Sequence, residues 1–335
     1  LPMATMLSNM FTVHVGTEKK LLRLPVDSTT LWHFQKLFAG DEWSQVNFWQ
    51  PLWNSLIVAL GSGILGIAVG GTVAWFITRS DLKCKKFISA VFVFPYMMPA
   101  WTLALFWTNM FQNSQVGGGN IGMVESIFGV CMPEWFVYGL FPMIVVTGLH
   151  YSPFAYLLIG GILKNMDATL EESATILKAN RATIIRRVTI PIVMPAILST
   201  FLLIFSSGFS SYTVPVFLGS AVKCYTLSTK MRALIQAGYQ GQGYIIAFVS
   251  ILLGCLILGF GVYLLYLVIR NFRGTFVDQR DVVQFLGRDT EDEEEPLPQE
   301  RVRGPAVWDR SPSAQVRRKY RRAVLRSAKE APPQW

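Results

Sequence analysis

Acidic residues are scarce in this chain, and histidine and cysteine are scarcer still. Its 335 residues include 21 Asp or Glu against 30 Lys or Arg, three histidines and four cysteines. With 15% charged and 52% hydrophobic residues it is too apolar for an ordinary soluble domain of that length. None of Cys84, Cys131, Cys224 and Cys255 forms a C-x-x-C pair, so with so few histidines a zinc site is not expected. There is no G-x-x-x-x-G-K-[ST] phosphate loop, no G-x-S-x-G nucleophile elbow and no H-E-x-x-H helix. The chain therefore has no visible means of holding ATP for itself, no convincing catalytic set and no metal site. The letters GSGILG (Gly61 to Gly66) fit a dinucleotide motif, but they lie inside an apolar run rather than between a strand and a soluble helix. Gly66 and Gly70 are instead expected to let two helices pack closely. No positive stretch precedes the opening residues, so a cleavable signal peptide is not expected. LPMATMLSNMFTV reads as the outer end of a truncated transmembrane helix, with an amphipathic surface segment as the alternative.

What is present is a series of apolar runs. Five reach the roughly 20 residues that a helix needs to cross about 30 Å of hydrocarbon. They cover Leu56 to Thr78, Phe87 to Phe111, Val137 to Leu163, Ile192 to Leu218 and Tyr244 to Ile269. Helix is the only sensible state, because an open strand in lipid leaves its backbone unpaired. Lys and Arg concentrate in alternate connections. RSDLKCKK (Arg79 to Lys86) carries four, the glycine-rich stretch before Trp135 none, Lys164 to Pro191 five, and Ser220 to Gly243 three. The first and third of these connections are thus cytoplasmic, the opening segment is outside and the C-terminus inside. Topology accounts for the net charge of +9 better than a nucleic-acid partner does. Cys131 and Cys224 share the outer side and offer one disulfide candidate, with isolated thiols as the alternative. His150 is expected to serve packing or a structural hydrogen bond rather than a proton relay.

Three regions follow: 1–50, the end of the first span and an outer segment; 51–270, the transmembrane domain, with a loop at 164–192; and 271–335, a cytoplasmic tail. The tail from Asp289 holds nine acidic and ten basic residues with few large apolar ones, and is expected to be disordered from there. It is expected to be solvated, with a tail laid on anionic lipid as the alternative.

The loop at 164–192 is unlike the others. Asp167, Glu171 and Glu172 come early and Lys178, Arg181, Arg186 and Arg187 late, the favourable order for a helix dipole. Its apolar positions are partly helical in spacing, it lacks Trp and Phe for insertion into lipid, and Pro191 and Pro195 mark the entry to the next run. A protein socket suits that mixture better than a membrane surface. Glu172-Ser173-Ala174, three residues, Lys178, nine residues and Val188-Thr189-Ile190-Pro191 resemble the cytoplasmic loop signature of type I ABC importer permeases, the inner-membrane components of binding-protein-dependent transport systems. The resemblance runs from about Leu56 to Arg270. Two positions depart from the signature: Ser173 stands for an alanine, and Lys178 for a glycine that lets the chain turn, a task that Asn180 can take over, with a straighter loop as the alternative.

The resemblance implies an all-α transmembrane domain of five complete helices, a truncated first helix and a cytoplasmic coupling helix, in a multi-pass protein of the bacterial inner membrane. The ATPase-coupling residues would be Glu171, Glu172, Ser173, Ala174, Leu177, Lys178, Asn180 and Pro191, with Glu172 reaching a basic residue of a separate ATPase subunit. ATP and Mg would sit on that partner, with no cofactor on this chain. Other partners would be a second permease domain, identical or homologous, an extracytoplasmic solute-binding protein, and membrane lipid. Binding-protein contact falls to the opening segment and the loops Gln112 to Trp135 and Leu218 to Gly243. Ser206, Ser207, Ser210, Ser211, Tyr212 and Thr213, in FSSGFSSYTVPVFLG, are candidates for a polar translocation path, although such hydroxyls also bond back to their own helix. No acid lies among them, so a bare-cation pocket is unsupported. SSYTVPVFLG and YTLSTKMRALIQAG are similar to permeases of the ferric-iron and polyamine group. A secondary transporter or channel working without an ATPase is the competing class.

Overall fold

A computed structural model describes residues 2–80, 82–116, 119–165, 181–185 and 189–292, with the backbone alone for 271–292. The described residues are helical, without a strand beyond two isolated bridges. Helix α1 spans Gln50–Arg79, α2 Lys85–Met97, α3 Ala100–Phe111, α4 Leu140–Asn165, α5 Ile190–Ser210, α6 Thr213–Leu218, α7 Leu227–Gln236 and α8 Gln240–Asp292. Shorter helices Pro2–Asn9, Thr17–Leu22 and Trp32–Phe38 precede them. Among the described residues four helices are long and apolar enough to cross a membrane, and a fifth crossing is made if α2 and α3 count as one.

Two of the five apolar runs are not single helices, which corrects the sequence expectation. Phe87 to Phe111 is split into α2 and α3, which meet at 97°. Proline explains it. Pro99 has no N–H to continue the ladder, and the residue before it, Met98, is forced to an extended ψ of 146°. Ile192 to Leu218 is likewise split. Helix α5 stops at Ser210, Ser211 is extended at ψ 131°, and α6 resumes at Thr213.

The centre of the bundle is the pair α1 and α4, which approach through small residues. A side chain at Gly70 would collide with the Ser152 carbonyl and with Ala155. A Cβ at Gly66 would stand 3.3 Å from the Gly148 carbonyl oxygen, and one at Gly148 3.2 Å from that of Ser62. Backbone thus lies on backbone, as the glycines suggested, and the dispersion contact is correspondingly dense. On one side of this seam Ala74, Ala155, Tyr156, Ile159 and Leu163 pack with Val193, Ala196 and Ile204 of α5. On the other, Val58, Met143 and Val146 pack with Ala104 of α3 and with Val214 and Leu218 of α6. The outer faces of α2 and α8 are lined by exposed Phe87, Val91, Phe94, Leu252, Leu256 and Phe260, the pattern of a surface meant for hydrocarbon or another apolar partner.

The opening fifty residues are a folded cap. Met10, Leu37 and Phe48 are buried with Leu227 and Leu234 of α7 and Ile245 and Ile246 of α8. All four cysteines are free thiols, so the Cys131–Cys224 pairing is not made. Cys131 hydrogen-bonds Glu125, while Cys224 accepts from Asn54. In the second unit, which starts at Gly274, the described residues are helical to Asp292, and the rest of the tail lies outside the described residues.

The seam yields a graded expectation. Gly70→Leu forces backbone apart and is expected to cost about 3 kcal/mol or more, read as lost monodisperse protein in detergent. Gly71→Ala, whose nearest neighbour is a flexible Ile159 methyl at 3.6 Å, is expected to change stability by under about 1 kcal/mol.

Candidate functional site

The polar side chains of the bundle gather where the two broken helices meet α4. Pro95 and the 97° turn bring α2 beside His150, whose imidazole faces the Pro95 carbonyl oxygen. Tyr96 and Tyr151 pack on the ring at centroid distances of 5.9 and 4.8 Å. His150 is 7% exposed and packed between that backbone and the two rings, an arrangement suited to holding the bend.

One residue along α4, the side chain of Tyr151 faces Ser207 of α5. Beside Ser207, Gly208 lets α5 press on α1: an added Cβ would meet Ser62 Oγ at 2.8 Å and the Ala59 Cα at 3.3 Å. This fixes the rotation of α5 and presents Ser206, Ser207 and Tyr212 half-buried, with Ser210 and Thr213 exposed. The candidate path residues thus divide. Ser207 is turned to Tyr151. Ser210 donates to the Ser206 carbonyl of its own helix at 2.9 Å, the back-bonding alternative. The Tyr212 ring lies under the Arg232 guanidinium of α7 at 5.5 Å. The Ser211 carbonyl, freed by the break, accepts from Ser228 Oγ at 2.6 Å.

Helix α7 is held over the break by α1. Ser55 Oγ accepts the Leu227 N–H at 2.8 Å, Asn54 donates to the Tyr225 carbonyl at 2.8 Å, and Thr226 and Thr229 form a capping box. Sequence reading missed Asn54, Ser55, Tyr151 and Ser228. The first two were signalled only as polar residues in an apolar run, and their partners lie up to 172 residues away.

Beyond this, buried polar side chains tie the cap down. Glu18, fully buried, accepts the Gly241 N–H at 2.8 Å and the His14 N–H at 3.3 Å. His33, also fully buried, donates from Nε2 to the Thr12 carbonyl at 3.2 Å and faces Glu18 with Nδ1 at 3.7 Å. Trp43 donates to Gln242 at 3.2 Å. Burial, assisted by the His14 charge, pushes the His33 pKa below its ordinary 6.5 against the pull of Glu18 and the Thr12 hydrogen bond.

Of the coupling candidates only Pro191 lies among the described residues, in the first turn of α5, where its missing N–H costs nothing. Glu171, Glu172, Ser173, Ala174, Leu177, Lys178 and Asn180 lie outside them.

This is a polytopic helical membrane protein with a polar break in one span and a sharp bend in another. The model of the binding-protein-dependent transport system inner membrane component family matches residues 62–270, and the chain belongs to that family. It is 26% identical over 169 residues to the ferric transport system permease protein FbpB of Actinobacillus pleuropneumoniae, a match covering 50% of this chain and 24% of the relative. It is 23% identical over 184 residues to the galactooligosaccharides transport system permease protein GanP of Bacillus subtilis, covering 54% and 43%. The chain thus spans about a quarter of the ferric permease and less than half of GanP. A chain of a bacterial ABC transporter involved in the import of the acidic polysaccharide alginate shares the fold. Its TM-score is 0.60 at 18% identity, covering 79% of this chain and 88% of that one.

The cap carries a pH expectation. Because His33 binds its proton less readily folded than unfolded, its contribution to stability is full above about pH 6.5 and is lost as pH falls through the lowered value. Backbone exchange of residues 10–40 is expected to speed up on acidification below that pH, and less so in His33→Gln.

Proposed function

We propose that this chain is the membrane-spanning permease subunit of an ATP-driven importer, passing a small solute from an extracytoplasmic binding protein across the inner membrane. Family membership over 62–270 is the observation that carries the reading. The opening segment, packed with α7 and the start of α8, would be the outer face that meets the binding protein. The ends of α1 and α4 with the loop 164–192 would face the cytoplasm, in keeping with their basic residues. There Glu172 would form a charge-assisted contact with a separate ATPase subunit, Ala174 would allow close approach and Leu177 would add apolar contact. ATP and Mg belong to that subunit. A second permease domain, identical or homologous, would complete the pathway. ATP-driven closure of two ATPase subunits would displace the paired loops and switch the spans between inward-open and outward-open states.

The solute would pass the break between α5 and α6, where Ser206, Ser207, Tyr212 and Thr213 interrupt the apolar lining. Ferric iron, in a form that needs no acidic cage, and polyamine or other small solutes are the candidate cargoes. The ferric permease relative supports the first.

The test is substrate-stimulated ATP hydrolysis of the reconstituted complex. Glu172→Lys is expected to reduce stimulation by at least about tenfold, the loss of one charge-assisted contact plus a repulsion. Tyr151→Phe is expected to lower transport while assembly with the ATPase is unchanged. Coupling that survives Glu172→Lys, or solute flux driven by a gradient through this chain alone, would point to a secondary transporter or channel instead.

A further inference from the structure

Three helix ends converge on a second feature that solute passage does not use. A cavity of about 530 Å³ is lined by Ile77, Thr78 and Arg79 of α1, Lys85, Lys86 and Ser89 of α2, and Tyr156, Leu157, Gly160, Gly161 and Lys164 of α4. Among the described lining residues four are cationic and none is acidic. At its back, Ser89 Oγ and the Tyr156 hydroxyl share a 2.7 Å hydrogen bond. The first turn of α2, a 13-residue helix, opens at the same place, and its N-cap residue Cys84 supplies no side-chain hydrogen bond to the free amides. The remaining wall is apolar. Leu157 is half-exposed, and Phe87, next to Lys86, is 71% exposed on the hydrocarbon-facing side of α2.

Lysines at the end of a span ordinarily need only water. Here they stand around a walled volume, at the level where an apolar helix surface gives way to charge. We propose that this cavity binds the phosphate headgroup of an anionic phospholipid from the leaflet at this end of the bundle. Lys85, Lys86 and Lys164 supply charge, α2 its first-turn amides, and Ile77 and Leu157 the wall for the lipid's glycerol and first methylenes. A soluble phosphate would satisfy the cationic rim but has no use for an apolar wall that continues onto the lipid-facing surface, and this favours lipid.

Gly161 allows a test that leaves every charge in place. A Cβ there meets nothing within 4 Å, so a larger residue can enter the cavity, and a helix interior gains from the exchange. The full chain, with the subunits that purify with it, is placed in phosphatidylcholine nanodiscs containing phosphatidylglycerol. Retained lipid is counted by native mass spectrometry. The unsubstituted chain is expected to keep one phosphatidylglycerol in preference to phosphatidylcholine. Lys85→Gln with Lys164→Gln is expected to weaken that retention by about thirtyfold, near fivefold for each charge. Gly161→Leu is expected to abolish it, and Lys83→Gln, outside the cavity, to leave it intact. Equal retention in the double variant and Gly161→Leu would overturn the proposal. So would displacement by millimolar inorganic phosphate, which marks a site for soluble anions. Phosphatidylglycerol bound only after the other subunits are stripped would mean that protein, not lipid, fills the cavity.

Discussion

The structure depends on backbone contact between α1 and α4. Gly66, Gly70 and Gly148 remove the side chains that would hold the two axes apart, and carbonyl oxygens of one helix then lie against the other. In lipid the hydrophobic effect does not drive helices together, so close packing must supply the association. The seam does so at the cost of mobility: where backbones interlock, one helix cannot slide along the other without climbing over a Cβ. The pair α1 and α4 is therefore a single body, and the other elements are placed against it.

The irregular elements sit where that body can support them. Each break in a span exposes backbone that lipid cannot satisfy. The Pro95 carbonyl accepts the Met98 N–H and faces His150 of α4, and the Ser211 carbonyl accepts from Ser228 of α7. Helix α7 is itself anchored to α1 through Asn54 and Ser55. Polar residues that look isolated within apolar runs are thus paired with the breaks. The cap follows the same rule, with Glu18 satisfying the turn that opens α8.

How much of this was readable in the sequence follows from the range of each interaction. Apolar length located the spans, though α1 begins before Leu56, α5 stops short of Leu218 and α8 continues past Ile269, and Gly66 and Gly70 announced the close seam because the absence of a side chain is itself a local signal. The bend at Met98–Pro99 had a local signal as well, but uninterrupted hydropathy across Phe87 to Phe111 outweighed it; hydropathy measures what a segment touches, not whether it is straight. The end of α5 at Ser210 had weaker warning, since serine is tolerated in a membrane helix by bonding back, as Ser210 does. Glu18 with Gly241 and Ser55 with Leu227 left no trace, being partners 223 and 172 residues apart with no spacing rule between them. Of the coupling residues, Pro191 takes the first-turn place its chemistry favours, and the rest of that motif was legible as spacing alone.

A rigid pair flanked by broken helices has a consequence for the proposed transport cycle. A displacement applied to the loop after α4 cannot be absorbed between α1 and α4, so it must be passed to the joints, which are the Met98–Pro99 bend and the Ser211–Tyr212 break. At both joints the continuous ladder gives way to single turn bonds, Met98 N–H to the Pro95 carbonyl and Ser211 N–H to the Gly208 carbonyl, with side chains adding support. Side-chain bonds of that kind contribute about 1 kcal/mol each, against several for unwinding an intact turn in hydrocarbon. Motion is thus cheapest where the polar residues already are. The same Tyr151–Ser207 contact that joins the rigid pair to α5 stands beside one of the joints, so the residues proposed to meet the solute are also those whose spacing changes first when the joint moves.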